Sequence, residues 1–381
     1  MIVVFNALTW GFEHVPFDAA LIAAVEQAFP GEPIHFWAEA EHLRQTRAQL
    51  QRRDHAKAVV WRELVIPPRH APLGRRLRDD VVLARRLLSE AQRLGATRMI
   101  CCCMHPRSGL AALKLLAALY RLPAVAFIHH AGLLSLLSSR RYHPLLTVAN
   151  GRVKQVVLGS SIRAEVVRQL PALGAHLASI RHPYLFDPAT PSELPGAGAP
   201  SFAFLGMVAE NKGFADFARL AEEFAGGAGE GPAQVRFDLI GGVPADATAA
   251  IPPSVRSHAA AGPLTRETYE RLLREASYTI FPYDPGFYSL VASGAVLDTL
   301  AAGKPLIALR NSQFEEMFAA MGDIGYLCAD LAEMRAVVGG ILKDPPRARY
   351  RRQSENILAR RSIYGPAAVG DELRRLFSPA S

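Results

Sequence analysis

The feature that most constrains the fold is a rhythm. Short apolar runs alternate with segments of helical spacing, stop at a Pro/Gly-rich stretch, and then start again. In the first half, strands are predicted over 2–8, 33–37, 58–66, 97–104, 123–129 and 155–159. Helices are predicted over 17–29, 41–53, 73–94, 110–120 and 163–170. A continuous apolar run bounded by turn residues reads as a strand buried on both faces. Its alternation with helices argues for a parallel sheet covered on both sides. Residues 188–200, Pro-Ala-Thr-Pro-Ser-Glu-Leu-Pro-Gly-Ala-Gly-Ala-Pro, have linker composition. The pattern resumes with strands over 201–205, 235–240, 278–282 and 306–309. Helices follow over 214–224, 265–275 and 332–342, and two basic helices over 347–360 and 369–377 close the chain. The expected class is α/β, with two doubly wound Rossmann-like domains facing across a cleft. The expected boundaries are 1–190, 191–345, and a pair of C-terminal helices over 346–381 that crosses back toward the first domain. Ligands in such sheets bind outside the carboxyl ends of the strands.

Composition narrows the class. Half of the 381 residues are hydrophobic, enough for real cores in two domains. No apolar run reaches the ~20 residues needed to cross a bilayer. The N-terminus has no basic n-region and reads as a first strand. Three cysteines are adjacent, Cys101, Cys102 and Cys103, and the fourth is Cys328. Neighbours on a strand point to opposite faces and make poor disulfide partners or zinc ligands, so they read as small apolar residues in a reducing cytoplasm. Charge is uneven: residues 1–190 hold 24 Lys+Arg against 13 Asp+Glu, a balance of +11 within a net +8. Clusters stand at Arg52-Arg53, Arg75-Arg76-Arg78, Arg85-Arg86 and Arg140-Arg141. With no aromatic interleaving, they suit anionic lipid headgroups at the inner membrane face rather than nucleic acid, or form a plain solvated helix face.

Two segments carry chemistry. In Ser289–Ala308, Ser293 is an N-cap candidate and Gly294 and Ala295 open a helix. Val296, Leu297, Leu300 and Ala301 form its apolar stripe, and Gly303 and Pro305 end it before a strand. The first-turn amides at Ser293, Gly294 and Ala295 welcome an anion. Asp298, on the same face as Gly294, is placed to take hydrogen bonds from a ribose; the competing reading is a capped core helix with a solvated Asp. In the second segment, a strand ends at Gly206, a short loop carries Lys212, and Gly213 opens the next helix. Lys212 is thus either a phosphate ligand or a surface lysine beside a tight turn. No GxGxxG follows the first strand and no Walker A sequence is present, which speaks against a dinucleotide oxidoreductase and a P-loop enzyme.

These segments resemble the GT-B glycosyltransferases, most nearly the retaining family 4. Phe204-Leu-Gly206, Met207 and Lys212-Gly213 follow that family's strand-Gly-Arg-loop-Lys-Gly-helix opening of the second domain. Residues 292–307 resemble its small-residue helix and Gly-x-Pro-hydrophobic mark, and Asp298 falls where the family's second Glu binds ribose. Gly262-Pro-Leu-Thr-Arg-Glu also falls in family order. In the first half, His129 matches a strand-end His that faces the transferred sugar, and His130 takes the position of the following Asp. Glu13 and His14, in the loop after the first strand, resemble the acceptor-side loop. Two departures stand out. Met207 replaces the usual Arg, with Arg107 or Arg310 as candidate substitutes. Leu290 stands eight before Asp298 where the first Glu of the pair is expected, with Asp284 as its candidate substitute.

The resemblance implies transfer of a sugar from a nucleotide-sugar to a glycan or lipid-linked acceptor, with retention, in cell-surface polysaccharide synthesis. Lys212 and the amides at Ser293–Gly294 would stabilise the departing diphosphate, with no cofactor and no obligatory metal. Two other readings accompany it. One is a non-catalytic homologue that binds a nucleotide, a glycan or a partner. The other is a sugar-nucleotide epimerase, whose catalytic carboxylates are not found.

Overall fold

The computed structural model describes residues 1–53, 59–68, 72–117, 119–120, 124–148, 150, 152–194, 199–225, 235–244, 251–258 and 264–378. Gly262, Pro263 and residues 195–198 of the Pro/Gly-rich stretch lie outside them. Two compact units result. The first comprises Met1–Leu185, Leu290–Ala292 and Ile363–Ser381, the second Phe186–Ser289 and Ser293–Ser362.

The first unit holds seven strands: β1 (Ile2–Asn6), β2 (Ile34–Ala38), β3 (Val59–Glu63), β4 (Arg98–Cys103), β5 (Val125–Ile128), β6 (Val153–Val157) and β7 (Leu177–Ser179). They run in parallel in the order β3-β2-β1-β4-β5-β6-β7. The second unit holds β8 (Ser201–Leu205), β9 (Arg236–Ile240), β10 (Val255–Ser257), β11 (Tyr278–Phe281), β12 (Leu306–Leu309) and β13 (Gly325–Cys328). These are parallel in the order β10-β9-β8-β11-β12-β13. Each sheet winds outward from its first strand and then reverses, so a switch point lies between β1 and β4 and another between β8 and β11. The carboxyl ends flanking a switch point are where such sheets take their ligands.

Burial explains why these runs become strands. Cys101 belongs to the apolar layer on one face of the first sheet, with Phe5 and Phe127, while Cys102 belongs to the layer on the other, with Ile2, Val4 and Phe36. All four cysteines are buried and reduced. The second sheet buries Phe202, Phe204, Phe237, Tyr278 and Ile280 around the helix Phe214–Ala225.

Several elements escape the sequence pattern. β7 and β10 have three residues each and lie at sheet edges, too short for periodicity to register. β13 opens at Gly325, whose backbone runs so close to β12 that a Cβ there would stand 1.9 Å from the Leu306 carbonyl oxygen. The helices Gly132–Leu137, His143–Thr147 and Ser312–Met321 were also unforeseen. The last is capped by the Asn311 side chain, which accepts from the amides of Gln313 and Phe314.

The closing helix Pro366–Phe377 lies on the helix Val15–Ala28 of the first unit. Arg374 Nε donates to the Ala28 carbonyl at 3.2 Å, and Lys154 Nζ to the Leu376 carbonyl at 2.5 Å. The helix Arg347–Arg360 belongs to the second unit. One arginine of the basic clusters is not on the surface. Arg76 is buried against Asp80, at 3.2 Å, and donates to the carbonyls of Pro67 and Pro68. No helix among the described residues is long and apolar enough to cross a membrane.

Candidate functional site

In the second unit, three chain segments meet at the β8/β11 switch point. β8 ends at Leu205, and Gly206 follows at φ 89°, a left-handed conformation that Gly adopts without strain. A Cβ at Gly206 would lie 2.7 Å from Lys212 Nζ, so the lysine folds back over the strand end. Lys212 closes the short 3₁₀ turn Glu210–Lys212, whose cap Gly213 sits at φ 68°. A side chain at Gly213 would strike the Pro282 carbonyl oxygen, 1.9 Å from its Cβ position. That close approach locks the Lys212 loop against the end of β11, and Asp284 N donates to the Asn211 carbonyl at 3.0 Å. Burial pulls the Lys212 ammonium down to about 8, while the charge of Asp298 works the other way.

The helix Gly294–Ala301 completes the assembly. Ser293 occupies its N-cap position, but its side chain caps nothing. The hydroxyl pairs instead with Tyr283 OH at 3.0 Å, and Tyr283, fully buried, stacks on Tyr288 with ring centroids 3.9 Å apart. The expectation of Ser293 as a side-chain cap is therefore corrected. A first turn without a capping oxygen keeps its donors for an incoming anion. No atom crowds the position of a Cβ at Gly294. Asp298 is held by Arg266 Nη2 at 2.8 Å and Tyr269 OH at 3.2 Å. Arg266 is shared with Glu270, whose Oε1 lies 2.6 Å from its Nε. Sequence reading missed Arg266, Tyr269 and Tyr283, because the contacts that recruit them span 10 to 32 residues.

The candidate substitutes are otherwise engaged. Asp284 caps the turn Pro285–Tyr288, accepting from Phe287 N at 2.6 Å. Leu290 is 6% exposed in an apolar cluster of the first unit. Met207 is 48% exposed. Arg310 pairs with Glu315 at 3.2 Å, and Arg107 lies over the Tyr142 ring at 4.6 Å.

In the first unit, the loop after β1 is held by a buried network. His42 Nε2 donates to Asp18 Oδ2 at 2.7 Å and its Nδ1 to the Gly11 carbonyl at 3.0 Å, while Asn6 Nδ2 donates to the same Asp18 oxygen at 2.6 Å. Burial opposes charge on His42, yet the hydrogen bond and charge of Asp18 outweigh it and raise its proton affinity. This loop carries Glu13, whose amide donates to the Trp10 carbonyl, and His14. His14 alone among the described non-glycine residues has positive φ, 58°. Its ring lies 4.7 Å from that of His130, which follows β5. His129, by contrast, is 5% exposed, with Nε2 on Gln155 Oε1 at 3.1 Å. Burial lowers it to about 4, against the Gln155 hydrogen bond, so its imidazole is neutral at physiological pH. Of the two histidines, His130 is the one grouped with the loop after β1.

No family model and no curated protein sequence matches the chain. Solved structures do. HepE of Anabaena in complex with UDP-glucose aligns at TM-score 0.65 and 12% identity over 99% of each chain. Sucrose-phosphate synthase of Thermosynechococcus elongatus aligns at TM-score 0.67 and 12% identity over 99% of this chain and 98% of its own. An α,α-trehalose-phosphate synthase (UDP-forming) of Burkholderia vietnamiensis aligns at TM-score 0.62 and 11% identity over 99% of each. At such identities the likeness shows the architecture. The chain has the GT-B fold, two Rossmann-like units with a parallel sheet of seven and of six strands.

Proposed function

We propose that this chain is a glycosyltransferase that moves a sugar from a nucleotide-sugar to a glycan or lipid-linked acceptor. The observation that carries the reading is the β8/β11 switch point, where the partly buried Lys212 ammonium, the first turn of the helix Gly294–Ala301 and the Asp298 carboxylate belong to one connected assembly. A cation and unpaired helix amides suit a diphosphate, and a carboxylate suits ribose hydroxyls. Gly206, Lys212, Gly213, Ser293, Gly294, Ala295 and Asp298 are the donor-binding residues, and Asp284 shapes the adjoining turn. HepE has been solved with UDP and with UDP-glucose, so a UDP-sugar is the first donor to try. As the diphosphate departs, negative charge grows on its oxygens, and preorganised donors stabilise that charge without a metal. Configuration is retained, with the leaving phosphate taking the acceptor proton.

Glu13, His14 and His130 form the acceptor side, on the first unit. His129, neutral and tied to Gln155, offers a hydrogen bond rather than a proton. Exposed Arg85 and Arg86, with Val82 beside them on the helix Leu73–Arg93, suit an anionic membrane surface. The role that fits such a surface is cell-surface polysaccharide synthesis at the cytoplasmic face. Met207 and the buried Leu290 favour a second reading, a nucleotide- or glycan-binding module without turnover.

The test is release of nucleoside diphosphate from a panel of nucleotide-sugars, with a membrane and glycan fraction as acceptor. Turnover of one donor, abolished in Lys212→Met, supports transfer. Saturable binding across the panel with no release supports the module.

A further inference from the structure

The switch point of the first sheet gathers a different chemistry. β4 ends at Cys103, which pairs in register with Asn6 at the end of β1, and the Ala7 amide donates to the Cys103 carbonyl at 2.7 Å. His14 enters from the loop after β1 and His130 from the end of β5. One ligand nitrogen of each histidine and Cys103 Sγ all lie within 4.8 Å of one another. We propose that His14, Cys103 and His130 form a three-ligand site for a borderline-soft divalent cation, zinc above all, with a fourth position open to water.

Four features support it. The ligand set is right: two imidazoles and a thiolate suit zinc, not magnesium or calcium, which take oxygen. The separation is close: the three ligand atoms lie within 4.8 Å of one another, and a tetrahedral N₂S face has edges of about 3.4–3.6 Å at ordinary zinc–ligand lengths. His14, exposed at its loop, has room to move toward the other two. Outer support exists: His130 Nε2 donates to the Cys102 carbonyl at 2.8 Å, which fixes the tautomer and leaves the Nδ1 lone pair to bind. Finally, His14 is held in a left-handed conformation that costs a non-glycine residue energy, and such strain gathers at ligand sites.

Ligation would replace the S–H bond of Cys103 with a zinc–sulfur bond and release its proton to the buffer. The exposed side of His14 leaves the fourth position to solvent. The three residues are 27 to 116 positions apart, so no spacing motif announces them. The cysteines were expected to make poor zinc ligands as a row. The proposed site uses Cys103 alone of the three, with two histidines from other elements.

The test is titration of metal-free full-length protein with Co²⁺ as an optical probe, and with Zn²⁺ against a chromophoric chelator. The proposal expects one equivalent bound, with thiolate-to-cobalt absorption in the near ultraviolet. Cys103→Ser abolishes that absorption while Cys328→Ser preserves it. His14→Ala, on the exposed loop, weakens Zn²⁺ binding at least tenfold and leaves the circular dichroism unchanged. Absence of any stoichiometric binding overturns the proposal. So does a cobalt–thiolate band that persists in Cys103→Ser, or a His14→Ala affinity equal to wild type. The readout involves no nucleotide, so its failure leaves the transferase reading standing.

Discussion

Replacing Lys212 by Met keeps an unbranched side chain, shorter by the terminal nitrogen, and removes its charge. Lys212 Nζ hangs over Gly206 at the end of β8. If it holds the diphosphate, the substitution removes one charge-assisted hydrogen bond, worth about 1.5–3 kcal/mol. That corresponds to roughly 10- to 150-fold weaker binding of the nucleoside diphosphate. The proton adds a second prediction. Burial brings the free lysine to about 8, so wild-type affinity is level below pH 8 and falls toward about tenfold per pH unit above it. Stability must move the other way. Between pH 8 and the ordinary lysine value the unfolded chain binds the proton and the folded chain does not, so the wild type gains stability relative to Lys212→Met as pH rises. Isothermal titration with UDP from pH 7 to 9.5, paired with urea unfolding, reads both. A Lys212→Met affinity within twofold of wild type, or a flat wild-type profile across pH 8, refutes the assignment.

Other substitutions test the scaffold. Gly213→Ala forces a Cβ to within 1.9 Å of the Pro282 carbonyl at φ 68°. Overpacking and left-handed strain together cost about 2–5 kcal/mol, so differential scanning calorimetry should show a Tm loss of at least about 5 °C for a unit of this size. Arg266→Ala frees one side of Asp298 and should weaken UDP binding less than Lys212→Met does, as titration will show. The raised proton affinity of His42 stabilises the fold fully below its ordinary value of about 6.5 and is lost as pH rises through the folded value. Unfolding of wild type should therefore lose stability in that window, and His42→Gln should flatten the slope. Arg85→Glu with Arg86→Glu should reduce sedimentation with anionic vesicles at low salt and leave UDP affinity unchanged.

Much of the fold was legible because parallel strands buried on both faces are written as continuous apolar runs. β1, β4, β8 and β11, which define the two switch points, are such runs. The three-residue edge strands β7 and β10 were not legible, because they carry too few side chains to show a period. Gly206, Lys212, Gly213 and Asp298 were legible because loop, cap and helix chemistry is local. Tyr283 against Ser293, Arg266 against Asp298, and Cys103 against His14 and His130 were not, since only the sheet order brings them together. The adjacent histidines illustrate the boundary. Strand alternation says that one of His129 and His130 packs, but only the position of Gln155 on β6 shows that it is His129.

The most direct test of the donor site is a crystal structure with a bound nucleoside diphosphate. The β-phosphate is expected within hydrogen-bonding distance of Lys212 Nζ and of the Gly294 and Ala295 amides, with the ribose hydroxyls on Asp298. A diphosphate bound elsewhere, with Lys212 and that helix start untouched, would contradict it.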